Sequence, residues 1–298
     1  MVKKYDKNLE IIERDEKVFS NFSRLSYFPL TIKKAHGSII EDMDGNEYID
    51  MISAASTLNT GSCHPKIVQA IKDQADKCIS YTAAYTYSEP LVKLSEMLCE
   101  ITPGNFEKRV LFGVAASDSN DAAIKLARAY TGKKKMISFI GAYHGSTYGA
   151  ISLSAISLNM RRKIGPLLPE IEHIRYPNCY RCQFKCNPED CSLECLEDFK
   201  IAMQTYIPPD EIAAVIMEPI EGDGGLIVPP VKYMKAIYNI CKDNNILFIS
   251  EEVQQGLGRT GKWFGIEHFG IIPDLIVMGK SLGAGLPLSA VVGKKEIF

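Results

Sequence analysis

Short continuous apolar runs alternate with amphipathic stretches along most of this chain. The runs Val110 to Gly113, Met136 to Ile140, Ala213 to Met217, Ile246 to Ile249, Leu275 to Met278 and Ala290 to Val292 have strand length and no polar alternation. Strands of that kind are covered on both faces. Between them, Asn120 to Tyr130 and Val231 to Asp243 carry apolar residues at helical spacing. The predicted fold is α/β, a mostly parallel sheet flanked by helices. Earlier in the chain, Pro65 to Cys78 and Leu91 to Ile101 read as helices, and residues 1 to about 35 as a polar helix with an irregular lead-in. In GSIIEDMDGNEYIDM, two alternating runs flank Asp44-Gly45, the dipeptide of a tight hairpin.

At 298 residues and 46% hydrophobic, the chain can bury a large core in one or two domains. Its formal net charge of −2, with 34 basic against 36 acidic side chains, gives no footprint for nucleic acid. No apolar run approaches the ~18 residues of a membrane span. The first residues, MVKKYDKNLE, lack the apolar stretch of a signal peptide, so a cytoplasmic location is expected.

One lysine stands out. Lys280 follows the run Leu275 to Met278, and a small-residue loop follows it. Glu251 and Glu252 follow the run Ile246 to Ile249. If both runs are parallel strands of one sheet, an amine and a carboxylate meet at the edge where open α/β sheets bind ligands. That pairing suits an aldehyde cofactor: the amine forms an imine, and the carboxylate keeps a ring nitrogen protonated.

The segment FISEEVQQGLGRTGKWFGIEHFGIIPDLIVMGKSLGAGLPLSAVVG, Phe248 to Gly293, closely resembles the signature of class III aminotransferases, the group that includes acetylornithine, ornithine and 4-aminobutyrate aminotransferases. GSCHP (Gly61 to Pro65), DAAIKLARAYTG (Asp121 to Gly132), AYHGSTYGA (Ala142 to Ala150) and MEPIEGDGG (Met217 to Gly225) extend the resemblance over most of the chain. It implies the pyridoxal 5′-phosphate transferase fold type I. Residues 1–60 would then be an N-terminal segment of a small domain, and residues 61–298 the large cofactor-binding domain. The C-terminal small domain that such proteins continue into is expected to be absent from this chain.

By the same resemblance, Lys280 would hold the cofactor as a Schiff base and then shuttle a proton at the substrate, general acid–base work for a lysine of lowered pKa. Glu251 stands where relatives have the Asp that faces the pyridine nitrogen; its additional methylene is notable where geometry matters to within ~0.5 Å. Val253 would pack under the ring and Gln254 would reach its phenolic oxygen. The turn before the helix near Asn120, with Ala116 and Ser117, would receive the phosphate on backbone amides. Relatives carry glycine at the position of Ala116; if that position requires φ > 0, alanine costs on the order of 1 kcal/mol. Tyr143 would stack on the cofactor, His144 follows it in the motif, and Glu218 would be a substrate-side acid. Asp274 reads as a turn or cap.

The implied function is transfer of an amino group from an amino acid or ω-amino donor to a 2-oxo acid, in a homodimer. A racemase or epimerase on the same scaffold, and a degenerate non-catalytic relative, are the alternatives. Five of the nine cysteines, Cys179, Cys182, Cys186, Cys191 and Cys195, cluster at spacings of C-x2-C, C-x3-C, C-x4-C and C-x3-C. Four of them could ligate a structural zinc; free thiols, a disulfide or an iron–sulfur cluster are the other readings.

Overall fold

The computed structural model describes residues 4–22 and 24–298 and divides into two compact units, Met1–Thr82 and Ala83–Phe298. The sequence motifs place a boundary near residue 60.

In the first unit, helix α1 (Asp6–Val18) precedes a three-stranded antiparallel sheet of β1 (Ile32–His36), β2 (Ile39–Asp42) and β3 (Glu47–Ile49), in that order. Asp44-Gly45 turns the β2–β3 hairpin, with Ile40 opposite Tyr48. Buried Asp42 organises it, accepting from the Asn46 amide at 2.8 Å, the Asn8 side chain at 2.8 Å and the Tyr48 hydroxyl at 3.0 Å. Asp44 accepts from the Lys7 and Asn8 amides, which caps the first turn of α1 from a distant part of the chain. Strand β1 replaces the expected irregular lead-in. Four of its five residues are exposed, so no burial pattern marks it in the sequence. Helix α2 (Pro65–Lys77) completes the unit, with proline at its first position.

The second unit runs α3 (Glu89–Ile101), β4 (Lys108–Gly113), α4 (Ala116–Thr131), β5 (Lys135–Ile140), α5 (Tyr148–Leu153), β6 (Ile171–Arg175), α6 (Glu194–Thr205), β7 (Ile212–Met217), α7 (Val231–Asp243), β8 (Leu247–Glu251), β9 (Leu275–Met278) and β10 (Ser289–Lys294). Its seven strands lie in the order β4-β10-β9-β8-β7-β5-β6. Neighbours from β9 to β6 are parallel; β10 runs antiparallel to both β9 and β4. Strand β6 lies at the edge. Its IEHIR pattern alternates rather than running continuously, which hid it among the apolar runs.

Side chains leave the central strands alternately to two cores. Val215, Met217, Ile276 and Met278 join one, with α6 and α7 packed over it through Phe199, Tyr233 and Ile237. Ala214, Ile216, Leu275 and Val277 join the other, under Ala123, Ile124 and Ala127 of α4. Such two-sided burial explains why these strands read as unbroken apolar runs. No helix among the described residues is long and apolar enough to cross a membrane.

Asp274 opens β9. It accepts from the Phe248 amide at 2.8 Å and pairs with Lys242 and Lys294, each at 2.7 Å. This clamp lies at the sheet edge opposite Lys280.

Candidate active site

Strands β8 and β9 are parallel neighbours with Glu251 in register with Val277. Lys280 comes three residues after Val277, so the chain brings both residues to the same carboxyl edge of the sheet, the usual ligand edge. Lys280 is half-buried and has φ 45°, a left-handed conformation that a lysine adopts only where its surroundings impose it. It opens a single tight turn, Lys280–Gly283.

The start of α4 adjoins this turn. A Cβ on Gly279 would lie 2.9 Å from the Ala116 Cβ, so glycine there lets the lysine-bearing strand end approach the helix. Ala116 is the first residue of α4, in right-handed conformation. The penalty considered for alanine at this position is therefore absent. The N-cap, Ala115, has no side-chain acceptor, which leaves the first amides, those of Ala116 and Ser117, for an anion. The Ser117 hydroxyl accepts from the Ser146 amide at 3.3 Å, and a Cβ on Gly145 would lie 2.1 Å from it. From the other side, the Ser289 hydroxyl donates to the Ala115 carbonyl at 2.7 Å and accepts from Ser119 at 2.8 Å, tying the start of β10 to the start of α4.

Behind the edge is a buried polar cluster. Ligand atoms of His144, Glu218 and Glu251 lie within 4.8 Å of one another. His144 Nδ1 is 3.7 Å from Glu251 Oε1, an ion-pair distance, and Asn120 Nδ2 is 3.4 Å from the same oxygen while donating to the His144 carbonyl at 2.7 Å. Burial disfavours a charged imidazole, but the Glu251 and Glu218 carboxylates outweigh it and hold the His144 pKa above its ordinary value. Glu218 accepts from the Tyr143 amide at 3.1 Å and the Gly222 amide at 2.7 Å; burial, then the Glu251 charge, pushes it up to about 7. Glu221, also buried, is pushed up to about 8 by burial and by Glu218.

Beyond β8, Glu252 accepts from the amides of Gly265 and Ile266, both at 2.8 Å, and from Ser250 at 3.0 Å, which makes it a brace for that loop. Val253 packs on the α4 side of the core. The Gln254 side chain lies against Gly222, where a Cβ would be 2.0 Å from its oxygen. The Tyr143 ring is half-buried, its hydroxyl 3.3 Å from that of Ser146.

A family model described as aminotransferase class-III matches residues 22–298. The chain belongs to the class-III aminotransferase family. It is 50% identical over 296 residues to an isoleucine 2-epimerase of Lentilactobacillus buchneri, covering 99% of this chain and 66% of that protein. With a leucine/methionine racemase of Thermococcus litoralis the identity is 45%, covering 97% of this chain and 65% of the other. Among solved structures, a taurine:2-oxoglutarate aminotransferase from Bifidobacterium kashiwanohense, in complex with PLP and glutamate, superposes with a TM-score of 0.88 at 35% identity, covering 97% of this chain and 66% of that one. The chain thus spans about two thirds of the length of the relatives it matches.

The donor set fits the pyridoxal phosphate of a class-III enzyme. Asp118 takes the Val114 and Ala115 amides, and the next two amides of the helix start, those of Ala116 and Ser117, can take a phosphate, the β8 carboxylate a ring N–H, and the lysine after β9 an aldehyde. Sequence reasoning missed Asn120, Glu221 and Gly279. Polar Asn120 inside a helical apolar pattern was a usable signal for the first; the other two depend on close approach of distant loops. All five clustered cysteines are free and half-buried. Cys186 and Cys191 converge with Glu194, while Cys179, Cys182, Cys191 and Cys195 line one cavity.

Proposed function

We propose that this chain holds pyridoxal 5′-phosphate at the β8–β9 edge and moves an amino group between an amino acid or ω-amino donor and a 2-oxo acid. One observation carries the reading: Glu251 ends β8 and Lys280 follows β9, its parallel neighbour, next to the Ala116 and Ser117 amides at the start of α4. When bound, the cofactor supplies an electrophilic aldehyde and a cationic ring that accepts the electron pair left on the substrate α-carbon. The amides of Ala116 and Ser117 would receive its phosphate oxygens. Glu251, with His144 and Asn120 fixing its position, would keep the proton on the heterocyclic nitrogen. Val253 and Tyr143 would enclose the ring on its two faces and exclude water, and Gln254 would meet its phenolic oxygen. Lys280 would take the α-proton and return it.

A second reading has a specific observation behind it. The relatives at 50% and 45% identity are named as an epimerase and a racemase, against 35% for the aminotransferase structure. In that reading Lys280 and the residues around it return the proton to the α-carbon itself, with no acceptor.

One assay separates the two. The chain, loaded with cofactor, is given L-isoleucine with and without 2-oxoglutarate. Transfer yields glutamate only with the acceptor; epimerisation yields D-allo-isoleucine without it. Borohydride reduction should fix the cofactor to the Lys280 peptide, and failure to label that peptide sinks both readings. A homodimer, proposed from the family resemblance, predicts a two-chain mass in light scattering.

A further inference from the structure

The loop between β6 and α6, with the first turn of α6, holds five thiols that the amino-acid chemistry does not use. They form two close pairs, Cys179-x2-Cys182 and Cys191-x3-Cys195, with Cys186 between them. All four paired residues line one cavity of about 260 Å³, together with Glu194, Arg175 and Arg181. The Cys191 thiol donates to the Glu194 carboxylate at 3.1 Å, and its sulfur lies within 4.8 Å of that of Cys186.

The backbone is shaped toward the sulfurs. The Leu193 amide donates to Cys191 Sγ at 3.3 Å. The Lys185 amide donates to the Cys182 carbonyl at 3.1 Å, closing a tight turn between Cys182 and Cys186. Lys185 and Leu193 carry φ of 56° and 67°. Left-handed conformation costs a non-glycine residue roughly 1–2 kcal/mol, and such residues persist where the surroundings over-determine them. Lys185 immediately precedes Cys186, and Leu193 follows Cys191 by two residues. Amide donors to cysteine sulfur are the outer contacts that orient and stabilise thiolate ligands.

We propose that Cys179, Cys182, Cys191 and Cys195 form a tetrahedral four-thiolate site for a zinc-class divalent cation. Two close cysteine pairs are the ligand arrangement of structural zinc. The two arginines lining the cavity offset the net negative charge of four thiolates around a dication. Cys186 is near Cys191 but does not line the cavity; its thiol donates to the Phe184 carbonyl at 3.7 Å, and it is assigned no ligand role.

The site has a second face. Asn178, Cys179, Tyr180 and Arg181 form one wall of a neighbouring cavity whose other wall is Gly224–Val228. Just before that stretch, the Tyr176 hydroxyl donates to the Glu218 carbonyl at 3.0 Å. A cation clamping the loop would therefore stiffen the wall next to Glu218 without touching the reacting atoms.

The test is metal content, independent of cofactor loading. The full chain, purified under reducing conditions and dialysed against a weak chelator, should carry about one zinc per chain by plasma mass spectrometry. Cobalt substitution should give thiolate-to-metal charge transfer and the intense visible bands of tetrahedral geometry. An organomercurial added to the native protein should release the zinc as it consumes the cysteines, a readout needing no variant. Cys182→Ser and Cys191→Ser should each lower the metal content at least tenfold, whereas Cys186→Ser keeps it. Native chain that stays essentially metal-free after incubation with stoichiometric zinc overturns the proposal. So do a disulfide within either pair in that reduced protein, a brown preparation containing iron and sulfide, or loss of metal from Cys186→Ser equal to that from Cys191→Ser.

Discussion

Replacing Gly279 by alanine tests how the lysine is positioned. The added Cβ would stand 2.9 Å from the Ala116 Cβ, while the Ala116 Cα and N are at 3.6 and 3.7 Å, ordinary contact. Carbon pairs settle near 3.5–4.0 Å, so the strand end or the helix must give by about 0.6–1 Å. Overpacking of that kind costs about 1–3 kcal/mol. The larger effect is on chemistry: a 1 Å misplacement of a reacting group can cost on the order of 100-fold in rate. Gly279→Ala should therefore cut turnover, and borohydride-fixed labelling of Lys280, by about that factor. The overlap is with one methyl group, so Ala116→Gly in the same chain should restore most of the loss while doing little alone. Turnover, labelling and melting temperature of the two single variants and the double variant close the cycle. A double variant no better than Gly279→Ala refutes the account of Gly279 as the space for Ala116.

Three further outcomes are expected. Glu221 is raised from 4.5 to about 8, so its contribution to stability is full below 4.5 and is lost as pH climbs through about 8; the melting temperature of the native chain should fall over that window, and Glu221→Gln should flatten the slope. Glu252→Ala strands two buried amides, which should cost about 3 kcal/mol and lower the melting temperature by roughly 6–12 °C; a loss under 2 °C would show that water takes over the acceptor role. Asp274→Asn keeps the shape but not the charge facing Lys242 and Lys294, whose side chains are about a third exposed; about 2 kcal/mol should be lost in urea unfolding, less in high salt, with Lys280 labelling unchanged.

The central strands were legible because burial on both faces removes the polar alternation that would blur them. Strand β10 was visible as a run, but its direction was not: an apolar run has no arrow, and antiparallel pairing with both β4 and β9 depends on distant partners. Exposed β1 and edge strand β6 lacked the burial that makes a strand readable. At the site, Lys280 and Glu251 were legible together because each stands at or just past the end of a strand, and strand ends are set by local sequence. What surrounds them was less accessible. The ion pair of Glu251 with His144, and the contact of Gly279 with Ala116, join segments more than 100 residues apart. Ala116 illustrates the limit: a motif comparison asked whether it needed glycine's freedom, and only the helix start showed that it does not.

The bond from Ser289 to Ala115 has a kinetic consequence. It joins residues 174 apart, and strand β10, which begins at Ser289, inserts between β4 and β9. Pairings so distant in sequence pay their loop-closure entropy late and slow the search for the native state. A nascent chain can form α4 long before it can anchor the end that would meet a phosphate. Competence to bind an anion there should thus arise as one of the last events of assembly, after the rest of the sheet has gathered.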